Sequence, residues 1–219
     1  MLESKSETFP TGAGELTEMF ESKDEPLLLD FSVPMFRDSE PLQIVGPVPG
    51  NPAAIREFTN LADWRSYVLG LQLRGSVPKA FRRYHNQTLR ALFLAWLDGG
   101  VIQLAELWAL ATLEGAIKTR YPRINERAKE EGIKVPGLEY ALRYLVNQGG
   151  LTDEALRESG ARVLQNVLKG GNGSSLSEIR NGLAHGNALG GMPWGGLFEV
   201  IRDLIDFMYP AAGVMVSHS

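Results

Sequence analysis

The chain has no cysteine and only three histidines, His85, His185 and His218, among its 219 residues. Without thiols there is no disulfide framework, no thiolate metal site and no cysteine nucleophile. Three scattered histidines are poor material for a metal centre, so neither a metal nor another cofactor is expected. Long apolar runs are also missing. The most apolar stretch, Ala91 to Ile117, is broken by Asp98-Gly99-Gly100, Glu106 and Glu114. That predicts two core helices rather than a membrane span. The opening Met-Leu-Glu-Ser-Lys-Ser-Glu lacks a basic segment followed by an apolar one. No secretory signal is read there, and a cytoplasmic protein is expected. A basic excess is absent too: the net charge is −4, which argues against a general nucleic-acid coat.

What remains is ordinary material for a folded domain, with 44% apolar and 22% charged residues. The charge is unevenly placed. Residues 1–40 carry ten acids against Lys5, Lys23 and Arg37, a balance of −7 that leaves +3 for the rest. Two basic clusters stand out: Lys79, Arg82, Arg83 and Arg90, and then Lys118, Arg120, Arg123, Arg127 and Lys129. Either is readable as a solvated helix face. The first is the candidate RNA-binding surface, which the acidic N-terminus would shield.

Residues 1–50 read as an acidic arm. Leu27, Leu29, Phe31 and Val33 alternate as in a half-buried strand, and Leu42 to Val45 gives a second extended piece. The two are expected as a small hairpin or as an arm over the body. From Asn51-Pro52, a cap followed by a first-turn proline, the chain is expected to turn helical, and residues 51–219 to form one helical domain. Asn60 caps a helix bearing Leu61, Trp64, Val68 and Leu71. Leu89, Leu92, Phe93, Trp96 and Leu97 follow helical spacing, and a further helix runs from Gly99-Gly100 to Tyr121, where Pro122 stops it. Leu138, Ala141, Leu142 and Leu145 mark another, and Thr152 caps one with Leu156, Val163 and Leu164. Trp194, Leu197, Phe198, Ile201, Leu204, Ile205 and Met208 mark the last. The fold class is an all-α bundle with a short N-terminal β arm.

The stretch richest in chemistry is Ile179-Arg180-Asn181-Gly182-Leu183-Ala184-His185-Gly186, set between glycine-rich loops. Arginine is a permanent forked cation suited to phosphate. Histidine titrates near neutral pH. Ser175 or Ser177 can cap the short helix, Leu176, Ile179 and Leu183 supply its buried face, and Glu178, Asn181 and His185 share another. Positions five apart differ by about 140° on an ideal helix, so Arg180 must use its length to meet His185 at one phosphate. The structural alternative pairs Arg180 with Glu178 or a neighbouring acid and leaves His185 on the helix dipole. A second feature is Glu114, a lone carboxylate in the stripe Leu107, Leu110, Ile117, Tyr121. It is either half of an exposed i, i+4 pair with Lys118 or a carboxylate that orients Arg180 or tunes His185.

The Arg-Asn start, the small apolar interior and the His-Gly end resemble the Arg-x4-6-His signature of HEPN domains, an all-helical superfamily rich in toxin and defence ribonucleases. Leu107 to Tyr121 also looks like a HEPN helix, and the likeness covers about residues 78–210. It implies a metal-independent endoribonuclease in which the ribose 2′-OH attacks phosphorus and leaves 2′,3′-cyclic phosphate ends. His185 would act as general base or acid, Arg180 would stabilise phosphoryl charge, and Asn181 would hold the histidine or the phosphate. Glu114 completes the candidate catalytic set. The resemblance implies RNA as substrate, a homodimer whose two motifs meet in one cleft, and an antitoxin or other regulatory protein as a partner. Some family toxins carry a tyrosine two residues after the histidine; here Asn187 stands there. The rival expectations are a non-catalytic HEPN-like module that binds a nucleotide, RNA or a protein, and a helical interaction protein in which the pair is coincidental.

Overall fold

A computed structural model describes residues 41–48, 51–152, 175–185 and 196–211. It is mostly helical, with seven helices and one two-stranded hairpin among the described residues. The strands are β1 (Leu42–Val48) and β2 (Asn51–Phe58). The helices are α1 (Leu61–Gly70), α2 (Lys79–Leu94), α3 (Val101–Arg120), α4 (Arg123–Glu130), α5 (Leu138–Asn147), α6 (Leu176–Ala184) and α7 (Leu197–Met208).

The hairpin corrects the expected helix start at Asn51. Residues 51–58 form a strand, so the helical part begins at Leu61 and the hairpin straddles the boundary expected at residue 50. The antiparallel register pairs Leu42 with Phe58 and Ile44 with Arg56, while Gln43 faces Glu57 and Val45 faces Ile55. Leu42, Ile44 and Phe58 are buried and Ile55 is exposed, the alternation of a strand with one covered face. Pairing with β1 outweighs the cap signal of Asn51-Pro52, a case of tertiary context overriding local preference. The register slips between Gly46 and Val48, at Pro47, which has no N–H to give the ladder. Phe58 then packs against Trp64 and Tyr67 of α1, with ring centroids 5.0 and 5.4 Å away, and fixes the hairpin to the helices.

Most helices follow their sequence signals, but α2 stops at Leu94, short of the expected Trp96 and Leu97, and α4 lies where no helix is expected. Asn60 caps α1 by accepting from the Asp63 N–H at 2.9 Å. Trp64, Val68 and Leu71 are fully buried, and the Trp64 indole donates to the Phe93 carbonyl across the core. Pro122 ends α3 and, with no N–H to lose, opens α4. The long α3 is the spine of the described structure: α2, α5, α6 and α7 all pack on it. Among the described residues no helix is long and apolar enough to cross a membrane.

The last helix has the expected amphipathic pattern, but its polar face is buried as well. Leu197 to Asp206 is buried without a break, including Glu199, Arg202, Asp203 and Asp206. The polar side of α7 is covered by β2, by the end of α1 and by the loop after it. Arg202 donates to the Gly70 carbonyl and to Asp203, both at 2.9 Å. The Arg74 backbone N–H donates to Asp206 at 2.9 Å, and Glu199 lies 3.8 Å from Arg56. The expected strand at 27–33, the helix capped by Thr152, and Trp194, Asn187 and His218 lie outside the described residues.

Candidate active site

Helix α6 carries the motif and is anchored at its first turn. The Ser175 hydroxyl accepts from the Glu178 N–H, and the Glu178 carboxylate accepts from the Ser175 N–H at 2.7 Å, a reciprocal capping box. Leu176 and Ile179 are buried and Leu183 packs at the core edge, which is the expected apolar face. Glu178, Asn181 and His185 are exposed on the other side. Of the structural alternative, the Glu178 pairing is not seen, since Glu178 closes the cap, but Arg180 does meet another acid and His185 does sit at the helix C-terminus.

Arg180 instead reaches across to α3. Its Nη2 lies 3.7 Å from Glu114 Oε2, while Lys118 Nζ holds Glu114 Oε1 at 2.6 Å. Glu114 thus makes the i, i+4 pair with Lys118, although it is not the exposed pair expected, and its second oxygen lies near the Arg180 guanidinium. Glu114 keeps only 14% of its side-chain surface, Arg180 keeps 39%. A carboxylate so covered needs cationic partners, and here it has two. Among the described residues the Asn181 side chain makes no hydrogen bond to the His185 ring. Its Oδ1 accepts from Arg180 Nη1 at 3.1 Å, so its visible role is to steady the guanidinium.

His185 is the C-cap of α6, with its backbone N–H donating to the Asn181 carbonyl at 3.0 Å. Its ring is exposed, which is not the core-facing position that a coincidental pair would have favoured. The helix is continuous through Gly182 to Ala184. Arg180 and His185 are thus about 1.4 turns apart, the cation near Glu114 of α3 and the histidine exposed at the helix end.

The candidate RNA-binding residues Lys79, Arg82, Arg83 and Arg90 share one flank of α2. They are not brought against Arg180, for α2 packs on α1 and α3 whereas α6 packs on α3 and α5. Arg82 is further committed, with its Nε donating to the Val77 carbonyl at 3.0 Å. In the second basic cluster, Arg120 donates to the Met208 carbonyl and Arg127 lies over the Tyr144 ring.

Sequence reasoning missed a cleft of about 340 Å³ on the other side of Arg180. Leu138, Glu139, Tyr140 and Arg143 of α5 line one wall, and Ser177, Arg180 and Asn181 of α6 the other. The signal was present: Tyr140 and Arg143 are three apart, as are Ser177 and Arg180, so each set shares a helix face. No single-helix argument could show that the two faces oppose each other. No family model, curated protein or solved structure matches the chain.

Proposed function

We propose that this protein is a HEPN-like, metal-independent endoribonuclease of toxin or defence type. The observation that carries the reading is the Glu114–Arg180 contact between α3 and α6, beside an exposed His185 on the same short helix. A guanidinium held by a carboxylate and an amide is preorganised to receive a phosphoryl oxygen. An exposed imidazole can exchange protons with the ribose 2′-OH or the leaving 5′-oxygen. The likeness to the Arg-x4-6-His signature supplies the reaction class. The 2′-OH attacks phosphorus, the P–O5′ bond breaks, one proton leaves the 2′-OH and one joins the 5′-oxygen.

A composite cleft between two copies belongs to this reading. Leu104, Trp108 and Ala111 make an exposed stripe on α3, with Trp108 44% and Leu104 45% exposed, and Trp108 and Ala111 border a groove against Phe81, Tyr84 and Gln87 of α2. Trp96, by contrast, is buried within the chain. An exposed apolar stripe on the helix that carries Glu114 supports a second copy as its cover.

Arg180→Ala and His185→Ala should each lower RNA cleavage by roughly 10²–10⁴-fold while helicity and oligomeric state stay as in the wild type. Cleavage should persist in EDTA, and a 2′-deoxy residue at the cut site should block it. Wild-type turnover equal to that of His185→Ala would move the protein to the non-catalytic module, a reading favoured by the absence of any carboxylate contact to the His185 ring among the described residues.

A further inference from the structure

Apart from Arg180 and Asn181, the residues lining the α5–α6 cleft have no role in the reaction just described, yet its walls are not those of a packing defect. Two guanidinium groups, Arg143 and Arg180, border it. Asn181 and Ser177 add an amide and a hydroxyl, Glu139 adds a carboxylate, and Ile133, Leu138 and the Tyr140 ring add apolar surface. Its volume lies within the roughly 300–1,000 Å³ of small-ligand sites.

Each feature narrows the occupant. Two arginines ask for an anion, and a phosphate is matched by their forked donors. Glu139 makes a bare inorganic anion a poor fit. The Glu139–Arg143 pair is exposed, with side chains 55% and 64% accessible, and such pairs contribute little to stability. Arg143 can therefore turn to a ligand, leaving Glu139 to accept from a ribose hydroxyl or a base amino group. Tyr140 offers a ring on which a base can stack. The combination of anion, hydrogen-bond donors and flat apolar surface describes a nucleotide.

We infer that the α5–α6 cleft is a ribonucleotide subsite, with a phosphate on Arg143, a base on Tyr140 and ribose or base donors on Glu139. It deepens the ribonuclease reading, on which its assignment to RNA rests. Arg180 stands between the cleft and Glu114, and Asn181 and His185 are i, i+4 on α6. A strand seated in the cleft would thus continue past Arg180 to His185. The subsite would position the nucleotide neighbouring the scissile phosphate; Arg143 and Tyr140 are binding residues, not catalytic ones.

The test uses the full chain and adenosine 3′,5′-bisphosphate, with inorganic phosphate and adenosine as separate probes, read by titration calorimetry. The bisphosphate should bind the wild type more tightly than either probe alone. Arg143→Ala should weaken it at least tenfold. Tyr140→Ala should weaken it roughly 5- to 150-fold, the range for losing one stacked base, and Tyr140→Phe should restore it. Arg65→Ala, an exposed arginine on α1, should change nothing. On cleavable RNA, Arg143→Ala should raise KM and leave kcat near the wild-type value. Nucleotide binding that depends on Arg143 and Tyr140 without any RNA turnover would sink the enzyme reading and keep the subsite. RNA turnover with no nucleotide binding and an unchanged KM in Arg143→Ala would sink the subsite and keep the enzyme. Equal affinity for bisphosphate and inorganic phosphate would also overturn it, reducing the cleft to an anion contact.

Discussion

The molecule holds two concentrations of charge, and they are built on opposite principles. Around α7, Arg202, Asp203, Glu199 and Asp206 are buried, together with His85, and the partly buried Tyr67 lies beside Glu199. On α3 and α6, Glu114, Lys118, Arg180, Asn181 and His185 stand at or near the surface. The buried group is the more perturbed. Burial pushes His85 down to about 4, and burial followed by the Glu199 charge pushes the Tyr67 hydroxyl well above its usual value. Burial raises the Glu199 carboxyl as well, and neither of its oxygens has a hydrogen bond of normal geometry. Perturbed titration alone would point to the buried group, away from the proposed site. Neither the α5–α6 cleft nor the groove between α2 and α3 is lined by those groups. The surface group has milder surroundings but offers what chemistry needs: a tethered cation, a solvent-accessible imidazole and an adjacent cleft.

The two groups should therefore fail differently when broken. The largest effects belong to the surface group and appear in rate alone, as stated for Arg180→Ala and His185→Ala. Next comes Arg202→Ala, which should cost about 3–5 kcal/mol in urea denaturation, because it strands Asp203 and the Gly70 carbonyl without their donor. Replacing the pair together, Arg202→Met with Asp203→Leu, should recover most of that loss, since apolar groups of similar volume can substitute for a buried ion pair. A double variant no more stable than the single one would show that the buried charges are required as charges.

His85 gives the next effect. It is fully buried, and its Nε2 lies 2.8 Å from the Leu71 carbonyl oxygen, the contact of a neutral ring donating. Its folded value of about 4 lies below the unfolded 6.5. The unfolded chain thus takes up a proton that the folded chain refuses, and stability falls as pH drops from 6.5 towards 4, by about 3 kcal/mol in full. Above pH 6.5 this contribution is complete. Glu199, raised from 4.5, acts in the opposite sense, and its contribution is lost as pH rises through its folded value. Denaturation at pH 7.5 and 5 should show the slope, and His85→Gln should flatten it. An unchanged slope would assign the acid sensitivity to other groups.

Much of this architecture is legible in the sequence where periodicity and capping agree. Asn60, the Leu176–Ile179–Leu183 face and the Pro122 stop are local signals, and each is realised. What escapes is pairing between distant segments. Nothing within Asn51–Phe58 says that β1 will claim it from the expected helix. Nothing in α7 says that its polar face will be covered by β2 and α1. The site divides in the same way. The α6 motif and the odd carboxylate at Glu114 are visible in one dimension, whereas the choice among Glu114's partners, and the cleft between α5 and α6, depend on how helices far apart in sequence oppose each other.

The smallest effect sharpens the comparison most, because it asks whether a surface carboxylate positions or merely packs. Glu114→Gln keeps the shape and removes the charge that holds both Arg180 and Lys118. The Lys118 contact is an i, i+4 pair, worth about 0.3–0.5 kcal/mol in such helices, so the melting temperature should scarcely move. The Arg180 contact joins two helices, and its loss frees a guanidinium that the proposed reaction needs fixed. A misplacement of about 1 Å can cost up to 100-fold in rate, and Asn181 still restrains Arg180, so a fall in kcat of about tenfold is expected, with KM little changed. Lys118→Met is the control. It breaks the i, i+4 pair and leaves Glu114 to Arg180 alone, so cleavage should be kept. Equal losses in Glu114→Gln and Lys118→Met would make Glu114 a helix-surface residue and leave Asn181 as the group that positions Arg180.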